Sequence, residues 1–338
     1  MRSAYLERYL LSTWRCELNF CGKLFHLSLG LTLAFFPCSN AIAAEVGGYV
    51  GDIPEELADY ATMDDVKSYW SESKIADALD HPVDVLSDGS GHSREGDSTM
   101  TLSGSNATED LTSTPTGYLL FRNGTQNQSC TASLVGNGDT GVVVTAAHCL
   151  HGGAGKGWYS NLTFAPNLAP SGGGQITVPL EKAVVLEAWK SNANTSDGLG
   201  TSEISNDIGF AVLDSRVPVS ILDIYKRNIF GRESVTSEVR IFGYNAAHYA
   251  TPESCVADAS PEYKGGIRLY KSTGCGFSDW NSSNGGPWIR NYKVENNRVG
   301  TGTIVGITVA TDGKSLFSPL FGSGTYSLYE VALSAAKR

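Results

Sequence analysis

One histidine of this chain stands in surroundings that suit catalysis. His148 follows the apolar run Val142-Val143-Val144 in Thr145-Ala146-Ala147-His148-Cys149, and Cys130 lies a short loop upstream. A general base must hold hydrogen-bond geometry to its nucleophile, and a bridge from Cys130 to Cys149 would pin the strand end that presents the imidazole. The other histidines have no comparable context. A metal site built on His148 and His151 finds no third ligand, so neither metal nor cofactor is expected. Two further stretches carry groups that could work with this base. Asp207 heads the apolar strand Ile208-Gly209-Phe210-Ala211-Val212-Leu213, and Ser282 and Ser283 precede Asn284-Gly285-Gly286-Pro287.

The run Cys130-Thr131-Ala132-Ser133, followed by Val144 to Cys149, resembles the histidine region of trypsin-like serine proteases, disulfide included. Asn206-Asp207-Ile208-Gly209-Phe210 is similar to the Asp-Ile-Ala-Leu-Leu run that carries the family's aspartate. Phe242-Gly243-Tyr244 before Cys255, Gly285-Gly286-Pro287-Trp288, and Pro319-Leu320-Phe321-Gly322 leading into Leu328-Tyr329 look most like secreted bacterial and fungal peptidases. The resemblance covers about residues 116–336, with a weaker echo in Tyr69-Trp70. It implies a chymotrypsin-like fold: all-β, two antiparallel six-stranded β-barrels and a C-terminal helix. It also implies peptide hydrolysis by a triad in the chain order His, Asp, Ser, with His148 as general base and Asp207 orienting it.

The third member of the triad departs from the family pattern, which places serine directly before Gly-Gly-Pro. Here that residue is Asn284, and an amide is no activated nucleophile. In an ungapped alignment Asn284 replaces the serine and the chain is an inactive homologue that binds a partner. If Asn284 is instead a one-residue insertion, Asn281-Ser282-Ser283 matches the family's Gly-Ser-Ser, Ser283 is the nucleophile, and the N–H groups of Asn281 and Ser283 form the oxyanion hole. Ser283 is the expected nucleophile. Activation is expected to differ from the trypsin switch, because the residue before the serine is not an aspartate. The family's specificity position falls on Phe277 or Ser278, and neither predicts a basic substrate residue.

These groups need elements to hold them and an environment to work in. Lys23, the apolar run Leu24–Phe36 and Ala41-Ile42-Ala43 read as a secretory signal over residues 1–43 with a long lead-in, giving a secreted protein, extracellular or periplasmic, with no stable membrane insertion. Three of the seven cysteines lie in that leader; Cys130, Cys149, Cys255 and Cys275 remain, enough for two disulfides in any of three pairings, of which neighbour pairing closes the shortest loops. Residues 44–116 hold 16 Asp/Glu against 3 Lys/Arg and read as an acidic propeptide or linker, with a short helix over Met63–Leu79 starting near Asp64 or Asp65 and a flexible stretch from about Asp84 to Thr114. Residues 117–338 balance 17 acids with 18 bases, so nothing favours nucleic acid; the expected partner is a protein or peptide substrate, met as a monomer. There, short apolar runs between Gly/Asn/Ser turns indicate antiparallel strands, and Tyr326–Ala336 has helical spacing.

Overall fold

The computed structural model describes residues 48–52, 68–83, 86–87, 115–136, 141–166, 177–192, 200–217, 228–231, 238–244, 252–264, 266–275, 277, 280–294 and 300–336. The leader and residues 88–114 lie outside the described residues. In chain order the strands are β1 (Gly48–Asp52), β2 (Leu86–Ser87), β3 (Thr116–Asn123), β4 (Gln126–Val135), β5 (Val142–Thr145), β6 (Ser160–Pro166), β7 (Val178–Leu186) and β8 (Gly209–Leu213). They continue as β9 (Ile229–Phe230), β10 (Glu238–Gly243), β11 (Glu253–Lys264), β12 (Ile267–Thr273), β13 (Pro287–Val294), β14 (Gly300–Ile307), β15 (Ala310–Thr311) and β16 (Ser315–Pro319).

The first sheet runs β1-β7-β6-β3-β4-β5-β8, and a further pairing of β7 with β8 closes six of these strands into a barrel. Its turns follow from local chemistry. Asn123 pairs with Gln126 across a two-residue loop, and Gly124 supplies the φ of 59° that such a tight hairpin needs. Leu119, Phe121, Leu134, Phe164, Val184 and Phe210 meet in one buried cluster inside the barrel. Side chains of this size each contribute about 1.5–3 kcal/mol on burial.

The second sheet runs β2-β15-β16-β12-β11-β10-β13-β14-β9. The six longer strands pair antiparallel, while the two-residue strands β2 and β9 add on in parallel. Ile307 N–H donates to Ser318 Oγ at 3.0 Å, drawing β14 and β16 together. Val239, Ile241, Tyr270, Trp288, Val305 and Leu316 form its core, which also takes in Cys255 and Cys275. The cysteines pair as Cys130–Cys149 and Cys255–Cys275. The C-terminal helix is present over Ser323–Ala335, three residues earlier at its start than its apolar spacing suggests, and Leu328 and Ala332 join the first core.

The acidic segment is built into these sheets. β1 pairs with β7 from Lys182 to Leu186, along an edge where β6 reaches only Val178 and Pro179. A helix over Glu72–Asp80 is capped by Ser71, whose hydroxyl accepts from Lys74 N–H at 3.4 Å. Asp64 and Asp65, the caps anticipated from sequence, lie outside the described residues. Trp70, Ile75, Ala78 and Leu79 bury themselves against Tyr118, Leu120, Ala165 and Tyr244 on the outside of the barrel. Trp70 Nε1–H donates to the Asn161 carbonyl at 2.9 Å, Tyr69 OH to Asn127 Oδ1 at 2.9 Å, and Asn127 Nδ2–H to Asp77 Oδ2 at 2.8 Å. This explains why Tyr118-Leu119-Leu120-Phe121 is apolar without alternation. Leu119 and Phe121 face the barrel core, and Tyr118 and Leu120 face the helix.

Candidate active site

The strand register brings the base and the acid together. β5 and β8 are antiparallel neighbours with Thr145 opposite Gly209. His148 lies three residues beyond Thr145 and Asp207 two residues before Gly209, so both emerge at the same end of the pair. A 3-10 turn over Ala147–Cys149 lifts His148 off the strand, and the Cys149–Cys130 disulfide ties that turn back to β4. The sulfurs lie near His148 but are bonded to each other, so they offer no thiolate to a metal.

Asp207 grips the histidine twice. Its Oδ1 accepts the His148 backbone N–H at 2.9 Å and its Oδ2 meets His148 Nδ1 at 2.5 Å. The pair is buried, at 3% exposure for His148 and 0% for Asp207. With Nδ1–H donating to the carboxylate, Nε2 carries the free lone pair, which is the tautomer a general base needs. Nε2 is itself buried and has no hydrogen-bond partner among the described residues. Trp189 lies beside the imidazole with ring centroids 6.3 Å apart, and its Nε1–H is held by the His151 carbonyl at 3.0 Å. Burial, with the Asp207 charge adding to it, pushes the Tyr159 hydroxyl up to about 12.

The serine-bearing loop is a 3-10 turn over Trp280–Ser283 running into a tight turn. Gly286 N–H donates to the Ser283 carbonyl at 2.7 Å, which makes Ser283-Asn284-Gly285-Gly286 a β-turn. Gly285, third in that turn, has φ 77°, and a Cβ there would collide with the Thr131 carbonyl oxygen and Thr145 Oγ1. Only glycine fits such a position. The turn is fastened on both sides: Thr131 N–H donates to the Asn284 carbonyl at 2.7 Å, Gly285 N–H to the Thr308 carbonyl at 2.8 Å, and Thr308 N–H to the Gly286 carbonyl at 2.9 Å. Ser283 and Asn284 are both fully buried. The Ser283 hydroxyl does not engage His148 Nε2 in this arrangement. Asn284 N–H donates to the Asn281 carbonyl at 3.2 Å and so points away from any oxyanion.

A further component of the site comes from a segment whose composition gives no sign of it. Residues 81–83, in the acidic segment, meet this loop and the strand beside it. Val83 N–H donates to the Ser129 carbonyl at 2.9 Å, Ser129 N–H donates to the His81 carbonyl at 3.4 Å, and Asn284 Nδ2–H donates to the Val83 carbonyl at 3.1 Å. β2 then pairs with β15, Leu86 opposite Ala310. Phe277, one candidate for the specificity position, is buried in the second core, while Ser278 and Asp279 lie outside the described residues.

The trypsin family model matches residues 106–230, which hold His148 and Asp207. Among solved structures, the thermostable serine protease AL20 from an extremophilic microorganism is 22% identical, with a TM-score of 0.53 over 65% of this chain and 97% of that one. Protease Anisep from Arthrobacter nicotinovorans is 21% identical, with a TM-score of 0.54 over 68% of this chain and all of that one. No curated relative matches. The fold is chymotrypsin-like, and the stretch 106–230 is what the chain shares with the trypsin family.

Proposed function

We propose that the chain is a secreted serine endopeptidase made in a closed form, with His148 as general base, Asp207 as its orienting acid and Ser283 as nucleophile. The observation that supports this best is the buried His148–Asp207 pair whose outer nitrogen makes no hydrogen bond among the described residues. A buried polar atom left unmatched costs about 1–3 kcal/mol. A histidine placed for packing alone would be expected to use both nitrogens, whereas a base waiting for a hydroxyl would not. In the reaction, Ser283 Oγ attacks the peptide carbonyl as its proton passes to Nε2, and Asp207 stabilises the imidazolium that results. The proton then goes to the departing amine, and water hydrolyses the acyl-enzyme by the reverse proton route. For this, the Trp280–Asn284 turn must open enough to bring Ser283 to Nε2 and free the loop's N–H groups. Two disulfides suit an oxidising compartment outside the cytoplasm.

One observation favours a second reading. Asn284 sits at the head of Gly285-Gly286-Pro287, and its amide holds a chain segment in place. That suits an inactive homologue whose cleft binds a partner. Treating the exported protein, before and after removal of the acidic segment, with a fluorophosphonate and mapping the adduct separates the two. Labelling at Ser283 that His148→Ala abolishes is the result expected of the enzyme. Absence of label on folded protein in both forms removes the enzyme and is the result expected of the binding role.

A further inference from the structure

We infer that residues 81–83 and 86–87 are the chain's own inhibitor, laid from the first-barrel rim to the second-sheet rim beside the serine loop and fastened there by Asn284. The inference rests on the protease reading only for what the cleft would otherwise hold. Three contacts carry it, one on each rim and one between. On the first-barrel rim, Ser129 is bracketed by His81 and Val83 through two backbone hydrogen bonds, and the Pro82–Ser129 bridge is parallel. On the second-sheet rim, Leu86 and Ser87 pair with Ala310 and Thr311, again in parallel. Between the rims, the Asn284 side chain donates to the Val83 carbonyl.

The positions of the rims make this a block at the site. Ser129 precedes Cys130, whose disulfide partner follows His148 directly. Ala310 comes two residues after Thr308, which is hydrogen-bonded to both Gly285 and Gly286. An extended peptide reaching His148 and the serine loop needs these same backbone edges for strand addition. Both are occupied, which fits the burial of His148 and Ser283. The direction matters as well. A segment parallel to both edges runs opposite to a peptide that would pair antiparallel with them, so the inhibitor presents its peptide bonds reversed to any substrate aligned that way. It therefore blocks the cleft without being positioned as a substrate. The helix Glu72–Asp80, packed on the barrel through Trp70 and Leu79, anchors it just upstream and keeps its local concentration high.

The test uses the full exported chain in three forms: wild type, Val83→Pro, which removes the N–H given to Ser129, and Leu86→Pro on the other rim. Two measurements are independent of catalysis: hydrogen exchange at the Ser129 amide, and binding of a fluorescein-labelled synthetic peptide of residues 79–90. A third is the rate of fluorophosphonate labelling. The expected result is at least ten-fold faster Ser129 exchange and ten-fold tighter peptide binding in a variant whose melting shows it folded. Faster labelling of that variant, suppressed by added peptide, supports inhibitor and enzyme together. Looser exchange and peptide binding with no label in any form keeps the blocked cleft and removes the enzyme. If a folded variant exchanges Ser129 as slowly as wild type and binds no peptide, the inference is overturned. The Leu86→Pro chain carries the test if Val83→Pro does not fold.

Discussion

Replacing Asp207 by alanine and by asparagine distinguishes what its carboxylate does for the fold from what it does for the base. In wild type it accepts two hydrogen bonds from His148, one from the backbone and one from Nδ1, both out of contact with water. Alanine leaves two buried donors unmet. At about 1–3 kcal/mol each, the loss is about 2–6 kcal/mol, a large part of the 5–15 kcal/mol typical of a whole domain. Asparagine keeps one acceptor for the backbone N–H but turns an NH2 toward Nδ1. The imidazole then moves its proton to Nε2, at a cost of about 1 kcal/mol in stability. Urea unfolding gives the two stability losses, and the nitrogen chemical shifts of His148 show which ring nitrogen carries the proton. Asparagine should also slow fluorophosphonate labelling about 10⁴-fold, the scale of tautomer inversion in a Ser-His-Asp triad. An alanine variant within about 1 kcal/mol of wild type would refute the reasoning, as would an asparagine variant still protonated on Nδ1.

Trp70→Ala removes a buried indole and its hydrogen bond to Asn161, so the helix Glu72–Asp80 should lose about 4–6 kcal/mol of docking energy, read as faster amide exchange and proteolysis in residues 68–83. His151 is held neutral: burial lowers its pKa first, Lys190 lowers it further, and Glu187 partly opposes them. Its Nδ1 accepts the Gly153 N–H at 3.0 Å. Because the unfolded chain then binds the extra proton, stability should be full above about pH 6.5 and fall below it, with a slope of at most about 1.4 kcal/mol per pH unit. His151→Asn, which keeps an acceptor near that position, should remove this one-proton slope from pH-dependent unfolding curves. Gly285→Ala meets both a positive φ and the Thr131 carbonyl; it should destabilise the chain by more than about 1 kcal/mol, seen as a lower melting temperature, with no label at Ser283.

The fold and the meeting of His148 with Asp207 were legible because each has a local signature. β-branched apolar runs of four or five residues between Gly/Asn turns are too short for helices and pair as strands, and Thr145 to Cys149 sits at a strand end with Cys149's disulfide partner 19 residues away. The serine loop was not legible, since its outcome depends on one residue of register. That register is decided by partners far away in the chain, Thr131 for Asn284 and Thr308 for Gly285. The acidic segment reads as a propeptide or linker, and the charges that dominate its composition hide that parts of it are built into the sheets. The small apolar set that docks it, Trp70, Ile75 and Leu79, has helical spacing, but its receiving surface lies some forty residues downstream. The clue was in β3: four successive large apolar residues on an antiparallel strand require cover on both faces.

That double cover sets what happens once the chain is cut. A nick within residues 88–114 severs the backbone and leaves the helix Glu72–Asp80 seated on Tyr118 and Leu120. Burial of its isoleucine and leucine, with Trp70 just before it, contributes several kcal/mol, comparable with the low end of the cost of joining two separate chains. The cut protein thus behaves as a two-chain complex whose smaller part stays seated through these side chains and through the pairing of β1 with β7 until something displaces it. Its departure also uncovers an apolar stripe on the barrel, so the released domain gains a new sticky face when the segment is lost.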